Sequence, residues 1–406
     1  MTKLVTNQTC LKKNHFWIAF RTFFSISVFA FFIGNIQAQD LNQVILDSIV
    51  NESSRTNSNA LIIYKNEKII YENYFNKPIQ RIDAMSATKS VVSIAVILLL
   101  ENGFIDSLQQ PIYTIYPEWN QGNKKKITIK HLLEHSSGLQ NVSNAGIEVE
   151  TAPDVIKLAL SAELENFPGT KFSYNNKACN LIAGIIEETS ELKLDKFLDK
   201  YLFAPMDIKD YHWRTDPSGN PYAMAGLEIL PTDFAKIGLL MLKNGKWNGQ
   251  QLVSEQGIQI MLESSEKNKM YGLQWWLAFE DEDYAIDSEF IASISDKTDE
   301  KTLRLVEKLN GNYTNMNEIF GKAKSIFSME ELQSIGKLFG GLSKNDWKIT
   351  PNGKMVTYSA IGYLGQYLII VPEKDIVLVR MIDAENYKTS TINASLGNLP
   401  KLVGNL

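Results

Sequence analysis

The chain has 406 residues, a formal net charge of −5 and an apolar fraction of 44%. That is room for one large or two medium domains with a substantial core, and it excludes disorder for the bulk of the chain. The acidic balance offers no basic field to gather phosphate backbones, so nucleic acid is not an expected partner and a small neutral or amphipathic molecule is.

The first segment reads as an address label rather than as part of the fold. Lys12, Lys13 and Arg21 precede an apolar stretch at 23–33, and Ile36-Gln37-Ala38 forms a small-residue cleavage site. Residues 1–38 are therefore expected to be a signal peptide cut after Ala38, leaving a periplasmic or extracellular protein. The alternative is an uncleaved N-terminal anchor, although the stretch is too short for a comfortable membrane span. Cys10 precedes that stretch and is not placed for lipid attachment. Cleavage leaves Cys179 alone, which excludes an intramolecular disulfide.

Residues 61–64 and 69–74 are β-favouring runs around Lys65-Asn66-Glu67-Lys68, a hairpin that opens a sheet. Ser86-Ala87-Thr88-Lys89 then stands at the mouth of an apolar run, 91–100, in which Ser93 is the one polar residue. Residues i and i+3 share a helix face, so the Lys89 amine can reach the Ser86 hydroxyl, and an apolar setting favours the neutral, basic amine. The pair reads as a serine activated by lysine. Spacing alone does not select it, because Ser190/Lys193, Ser264/Lys267 and Ser334/Lys337 share it. Those lie in polar stretches where a lysine stays solvated and protonated.

Further along, residues 127–133 lead into His135-Ser136-Ser137-Gly138-Leu139, and a Pro168-Gly169 turn presents Tyr174 and Asn176 just ahead of an apolar helix at 178–189. Tyr-x-Asn also occurs at Tyr64, Tyr71 and Tyr313, but only Tyr174 has both the turn before it and the apolar helix behind it. Its phenol is placed to share a proton with Lys89 and then protonate a leaving group. The Asn176 amide is placed to orient Lys89 or hold a substrate carbonyl. Another helix starts at Pro231-Thr232-Asp233, with Asp233 or Thr232 as its expected cap.

Residues 280–348 are charged and helix-prone, with an apolar stripe of Leu303, Leu305, Val306 and Leu309, and a capping box at Ser328-Met329-Glu330-Glu331 that starts a helix through Phe339. They read as an insertion, either a lid on the site or a surface decoration. Residues 367–371 and 376–381 form a second hairpin around Pro372-Glu373-Lys374-Asp375, and 386–406 a terminal helix covering the sheet. Sheet-forming pieces at both ends with helices between them predict a discontinuous α/β domain, 39–85 with 265–406, and a mainly α-helical domain, 86–264, with a site in the cleft.

Together these motifs carry a family likeness. The chain resembles the class C β-lactamase-related serine hydrolases, the penicillin-recognising group that includes esterases, amidases, D-amino-acid peptidases and 6-aminohexanoate-oligomer hydrolases. The resemblance rests on Ser86-Ala87-Thr88-Lys89-Ser90, Leu132-Leu133-Glu134-His135-Ser136-Ser137-Gly138-Leu139, Pro168-Gly169 through Tyr174-Asn175-Asn176, Gly226 with Asp233-Phe234-Ala235-Lys236-Ile237-Gly238, and Gly362-Tyr363-Leu364-Gly365-Gln366, in the family's order. It implies an α/β fold, an antiparallel sheet flanked by helices with an inserted all-α domain. It also implies Ser86 as acylated nucleophile, Lys89 as its proton acceptor and Tyr174 as partner acid and base. His135 and Asp233 fall at positions taken as structural. No metal or organic cofactor is implied.

The third family element is a cleft-bordering strand that usually begins Lys-Thr-Gly, or a His or Trp variant of it. Here the corresponding stretch, Thr357-Tyr358-Ser359-Ala360-Ile361-Gly362, holds no cation. That lysine normally meets the carboxylate of a β-lactam or a peptidoglycan stem peptide, so its absence argues against both. The Ser86 N–H and a strand N–H at or beside Ala360 would form the oxyanion hole. Gly362 and Tyr358 belong to the same substrate-binding strand. Tyr363, Trp275 and Trp276 join Tyr358 as candidate aromatic walls, Trp275-Trp276 being equally readable as core. The expected activity is hydrolysis of small amides or carboxyl esters through a Ser86 acyl-enzyme. The alternatives are a β-lactamase or D-amino-acid peptidase, or a non-catalytic envelope-binding module.

Overall fold

The computed structural model describes residues 42–142, 144–342, 344–386 and 398–406. The expected signal peptide therefore lies outside the described residues. Among them the strands are, in chain order, β1 (Ala60–Lys65), β2 (Lys68–Asn73), β3 (Ile82–Asp83), β4 (Tyr211–Trp213), β5 (Leu227–Ile229), β6 (Lys246–Trp247), β7 (Gln250–Gln251), β8 (Trp276–Ile286), β9 (Gly311–Tyr313), β10 (Lys348–Gly362), β11 (Gln366–Val371) and β12 (Ile376–Met381). Seven of them form one antiparallel sheet in the order β2-β1-β12-β11-β10-β8-β9.

Both expected hairpins are present, and each turn has a residue in the left-handed region that its short polar side chain tolerates. These are Asn66, followed by Glu67, between β1 and β2, and Asp375 between β11 and β12. The pairing of β1 with β12, from Ala60↔Met381 to Lys65↔Ile376, brings the early and late parts of the chain together within the sheet. Strand alternation divides the central strands between two cores. Leu368, Ile370, Val377 and Val379 face the larger one, while Ile369, Val371, Ile376 and Leu378 face a smaller one shared with the helices Gln43–Arg55 and Leu399–Gly404. Gly238 in the helix Pro231–Leu242 permits close approach to the sheet, since a Cβ there would lie 2.5 Å from Val377 and 2.6 Å from Leu368.

The helix Thr88–Glu101 is buried around its whole circumference from Thr88 to Leu99, as the apolar run after Ser90, broken only by Ser93, requires. It runs through the larger core and places its N-terminus at the site. The middle of the chain is not helical throughout: β4 and β5 join β3 in a small sheet ordered β3-β5-β4, and Ala84 donates from its N–H to the Leu227 carbonyl (2.8 Å). That sheet grips the chain two residues ahead of Ser86.

Three expectations need correction. The helix Pro231–Leu242 is capped by neither Thr232 nor Asp233: its N-cap is Leu230, Pro231 occupies the first turn, and Asp233 pairs with Lys236 at 2.8 Å. Proline there has no N–H to satisfy, and an acid in the first turn meets the positive end of the helix. The terminal helix is short, Leu399–Gly404, and residues 387–397 of its expected span lie outside the described residues. The insertion does not begin in helix at Glu280, because β8 runs on to Ile286 and pairs with β10 from Ser359↔Trp276 to Lys348↔Ala285.

This long hairpin carries four helices, Ser288–Ser293, Glu300–Glu307, Met316–Ile326 and Met329–Gly341. They close around a core of their own that includes Ile286, Phe290, Val306, Ile319 and Phe339, and every residue of that cluster falls between 284 and 347. The Ser328–Glu331 capping box is formed in both directions. Among the described residues, no helix is long and apolar enough to cross a membrane.

Candidate active site

Ser86 sits in the tight turn Met85–Ala87 that feeds the helix Thr88–Glu101. Met85 has φ +50°, a strained conformation for a side-chain-bearing residue, and its surroundings enforce it. The Met85 N–H donates to Asp83 Oδ1 (2.7 Å), and the Ala87 N–H to the Ala84 carbonyl (3.0 Å). One helical turn on, Lys89 is 2% exposed, with its Nζ 3.1 Å from Ser86 Oγ. The same Nζ donates to the Met224 carbonyl at 2.6 Å and lies 4.9 Å from the centre of the Tyr174 ring. Both hydrogen-bond partners, a hydroxyl and a carbonyl, are neutral.

The Met224 carbonyl is held from behind. Asn180, fully buried in the helix Asn176–Ser190, accepts the Met224 N–H on its Oδ1 at 3.0 Å, so this side chain fixes the peptide whose oxygen anchors Lys89. Sequence reasoning missed both. A backbone carbonyl leaves no motif, but an asparagine in an otherwise apolar helical stretch was a signal to be read. Asn175 was also passed over: it is the N-cap of this helix, accepting from the Ala178 N–H (3.1 Å) and donating to the Leu139 carbonyl (3.0 Å). Asn176 opens the helix, and its Oδ1 is buried with no hydrogen-bond partner.

His135 lies beneath the tyrosine, its ring centre 4.3 Å from that of Tyr174, and its Nδ1 accepts the Asn175 N–H at 3.1 Å. Complete burial holds its pKa well below the ordinary imidazole value. It is therefore a neutral buttress that ties the Tyr174 loop to the segment before Gly138. Across the loop, Trp276 stacks on Tyr174 at 6.3 Å with 21° between planes, and Tyr271 meets Trp276 edge-on at 4.7 Å. Burial pushes the Tyr271 phenol well above its usual range.

The strand side of the site is formed by the end of β10. At Gly362 a Cβ would lie 2.3 Å from the Ala84 carbonyl oxygen and 3.1 Å from the Ala87 N, so this is where the strand meets the Ser86 turn. Ala360 is fully buried, two residues back on the same strand face. Tyr358 does not wall a cleft. It is 3% exposed and packs edge-on against Trp275 at 5.8 Å, whose indole N–H donates to Ser93 Oγ (3.1 Å), and both belong to the larger core. Strand parity explains the correction, because 358, 360 and 362 point to one face, that of the buried helix. Trp276 points the other way and remains half-buried, and Tyr363 is exposed.

Beyond Gly362 the turn passes through Leu364 at φ +68°, with the carbonyls of Leu364 and Gly365 both accepting from Arg380 Nη1 (3.0 and 2.6 Å). Arg380 is itself fully buried, also bonded to Ser58 and Thr56, and burial lowers its pKa to about 10. Among the described residues, no group of three or more His, Cys, Asp and Glu side chains is placed to hold a metal ion.

A family model described as Beta-lactamase matches residues 46–291. The chain belongs to the beta-lactamase family. It is accordingly an enzyme of the serine-hydrolase class, with the β-lactamase and penicillin-binding-protein fold. Its relatives include the 6-aminohexanoate-dimer hydrolase of Paenarthrobacter ureafaciens, 22% identical over 264 residues that cover 57% of this chain and 67% of that one. Protein flp of Staphylococcus aureus strain MW2 is 24% identical over 190 residues, and the match spans 42% of this chain and only 37% of flp. Solved structures share the fold, two of them as follows. A Bacillus anthracis protein provisionally assigned as a 6-aminohexanoate-dimer hydrolase has TM-score 0.61 at 17% identity, covering 88% of this chain and 81% of that chain. The octameric penicillin-binding protein homologue of Pyrococcus abyssi has TM-score 0.54 at 18% identity, covering 89% and 77%.

Proposed function

We propose that this beta-lactamase family enzyme hydrolyses small linear amides or carboxyl esters through an acyl-enzyme on Ser86, with Lys89 and Tyr174 handling the proton. The observation that carries the reading is the placement of Lys89: its amine is out of solvent, anchored to a carbonyl, 3.1 Å from the serine oxygen and under the tyrosine ring. In the proposed cycle, Ser86 Oγ attacks the carbonyl carbon as its proton passes to Lys89 and Tyr174. The same pair returns that proton to the leaving amine or alcohol, and water activated in the same way then releases the acid from Ser86. The Ser86 N–H and an N–H from the end of β10, between Ala360 and Tyr363, are assigned to the developing oxyanion, each worth about 3 kcal/mol by analogy with other acyl-transfer sites. Asn176, with its free buried oxygen, is assigned to the substrate or to Lys89.

Amide hydrolysis draws support from the 6-aminohexanoate-dimer hydrolase relative. The lack of a cation at 357–362 disfavours β-lactams and stem peptides. This reading keeps residues 86–264 as the helical wall of the site and 39–85 with 265–406 as the sheet wall, and it places the enzyme outside the cytoplasm after loss of residues 1–38. The test is a panel of p-nitrophenyl esters, short amide oligomers and nitrocefin, offered to the parent and to Ser86→Ala. Turnover of an ester or amide that disappears in the folded variant is expected. Equal rates in parent and variant would overturn the nucleophile, and nitrocefin as the preferred substrate would overturn the substrate class.

A further inference from the structure

Among the described residues, two ion pairs bridge the β3 and β4 sides of the small sheet, and they differ in where they stand. Arg81 and Asp210, one residue ahead of β3 and of β4, pair at 2.8 Å with side chains 43% and 57% exposed. Asp83 and Arg214, at the opposite end of these strands, pair at 2.9 Å with side chains 17% and 35% exposed. An exposed pair of the first kind contributes little. The second is tied at both partners to the reacting centre. We propose that Asp83 and Arg214 are positioning residues that set the Ser86 turn against the segment whose Met224 carbonyl anchors Lys89, an assignment that rests on the Ser86 hydrolase reading.

The Asp83 carboxylate gives one oxygen to each neighbour. Its Oδ1 accepts the Met85 N–H at 2.7 Å, and its Oδ2 accepts from Arg214 Nη2 at 2.9 Å. Met85, at φ +50°, is the residue immediately before Ser86, and such a conformation persists only where the surroundings over-determine it. An aspartate bonded through one oxygen can still turn about its own torsions. A second bond on the other oxygen fixes the carboxylate plane, and with it the direction of the Met85 N–H. The Ala84 N–H bond to Leu227 holds the chain ahead of the turn, whereas the Asp83–Arg214 pair holds the Met85 peptide itself.

The Arg214 backbone is held in turn by residues 222–226. Its N–H donates to the Gly226 carbonyl (2.9 Å), its carbonyl accepts the Tyr222 N–H (3.1 Å), and its guanidinium lies 5.8 Å from the centre of the Tyr222 ring. Gly226 is needed here, because it has φ +93° and a Cβ on it would meet the Cβ atoms of Arg214 and Tyr222, both at 3.4 Å. Midway between Tyr222 and Gly226 is Met224, whose carbonyl takes the Lys89 amine at 2.6 Å. The path from the Met85 N–H through Asp83, Arg214 and the 222–226 segment to Lys89 therefore has a hydrogen bond at every non-covalent step. Ser86 Oγ and Lys89 Nζ, 3.1 Å apart, close it. Proton transfer between them depends on that separation, so the brace acts on the rate without touching substrate.

The experiment measures p-nitrophenyl hexanoate hydrolysis and the rate of fluorophosphonate labelling at Ser86 in the parent, Arg214→Met, Arg214→Lys, Asp83→Ala and Arg81→Met, each assayed well below its own unfolding midpoint in urea. Acylation and deacylation both use the Ser86–Lys89 pair, so Arg214→Met should lower kcat roughly 10-fold, the size of one hydrogen bond to a charged group, at unchanged KM, with labelling slowed to match. Asp83→Ala, which also removes the acceptor of the Met85 N–H, should lose at least as much. Arg214→Lys, which can still donate to Asp83, should recover part of the rate, and Arg81→Met should match the parent. A folded Arg214→Met enzyme with parental kcat and labelling, a change confined to KM, or a loss of kcat in Arg81→Met as large as in Arg214→Met overturns the positioning role alone. A parent that neither labels at Ser86 nor hydrolyses the ester overturns the hydrolase reading and the positioning role with it.

Discussion

Gly362→Ala is the smallest change that separates the strand from Ser86, the proposed nucleophile. Gly362 has φ −121°, an ordinary extended value, so alanine brings no backbone strain and its whole effect is steric. The added carbon would lie 2.3 Å from the Ala84 carbonyl oxygen, and real Cβ contacts essentially never fall under 3.0 Å, so the strand end and the turn must part by about 0.7 Å. The turn cannot yield easily, because the Ala84 N–H is bonded to Leu227 and its carbonyl to the Ala87 N–H. The end of β10 therefore moves, carrying its N–H groups away from Ser86. A displacement of this size at a reacting centre costs on the order of 100-fold in rate, while overpacking costs about 1–3 kcal/mol of stability. Ester hydrolysis followed at substrate saturation, with a urea melt on the same sample, reads both numbers. A Gly362→Ala enzyme with the parent kcat would refute the assignment of this strand end to the reaction.

Three further outcomes are expected. Asn180→Leu removes the acceptor that holds the Met224 peptide, so kcat should fall roughly 10-fold at unchanged KM, and Asn180→Asp, which restores an acceptor, should recover part of it; a change in KM alone would contradict the positioning role. Arg380→Met leaves the Leu364 and Gly365 carbonyls without their Arg380 donor and should destabilise by about 2–4 kcal/mol in urea unfolding; an unchanged unfolding free energy would contradict this. His135 and, more weakly, His131 have pKa values lowered by burial, so the unfolded chain binds more protons below about pH 6.5. Stability is then full above about pH 7.5 and declines as the pH falls through 6.5, with a slope approaching 1.4 kcal/mol per pH unit from His135; a urea midpoint unchanged between pH 7.5 and 5.5 would contradict this.

What was legible in the chain, and what was not, follows from where the information resides. Ser86, Lys89 and Tyr174 stand out as residue types in context, an apolar helix behind a serine and a Pro-Gly turn ahead of a tyrosine, and the fold brings the three together. The two hairpins were readable from alternating apolar runs around Asn66 and Asp375, and the capping box at Ser328 needs only local chemistry. The Met224 anchor was hidden because a carbonyl oxygen has no side-chain signature. The face taken by Tyr358 depends on a strand register that no local pattern sets. The extension of β8 was missed because Glu280-Asp281-Glu282-Asp283 looks like a solvated surface, whereas Glu282 is nearly buried by two lysines that arrive 62 and 119 positions later.

The most direct measurement is labelling of the purified enzyme with a fluorophosphonate, followed by peptide mapping of the phosphonylated residue by mass spectrometry in the parent, Ser86→Ala and Lys89→Met. The proposed activation of Ser86 by the buried Lys89 predicts one adduct, on Ser86, formed quickly in the parent, much more slowly in Lys89→Met and not at all in Ser86→Ala. An adduct on another residue, or equal labelling rates with and without the Lys89 amine, would contradict it.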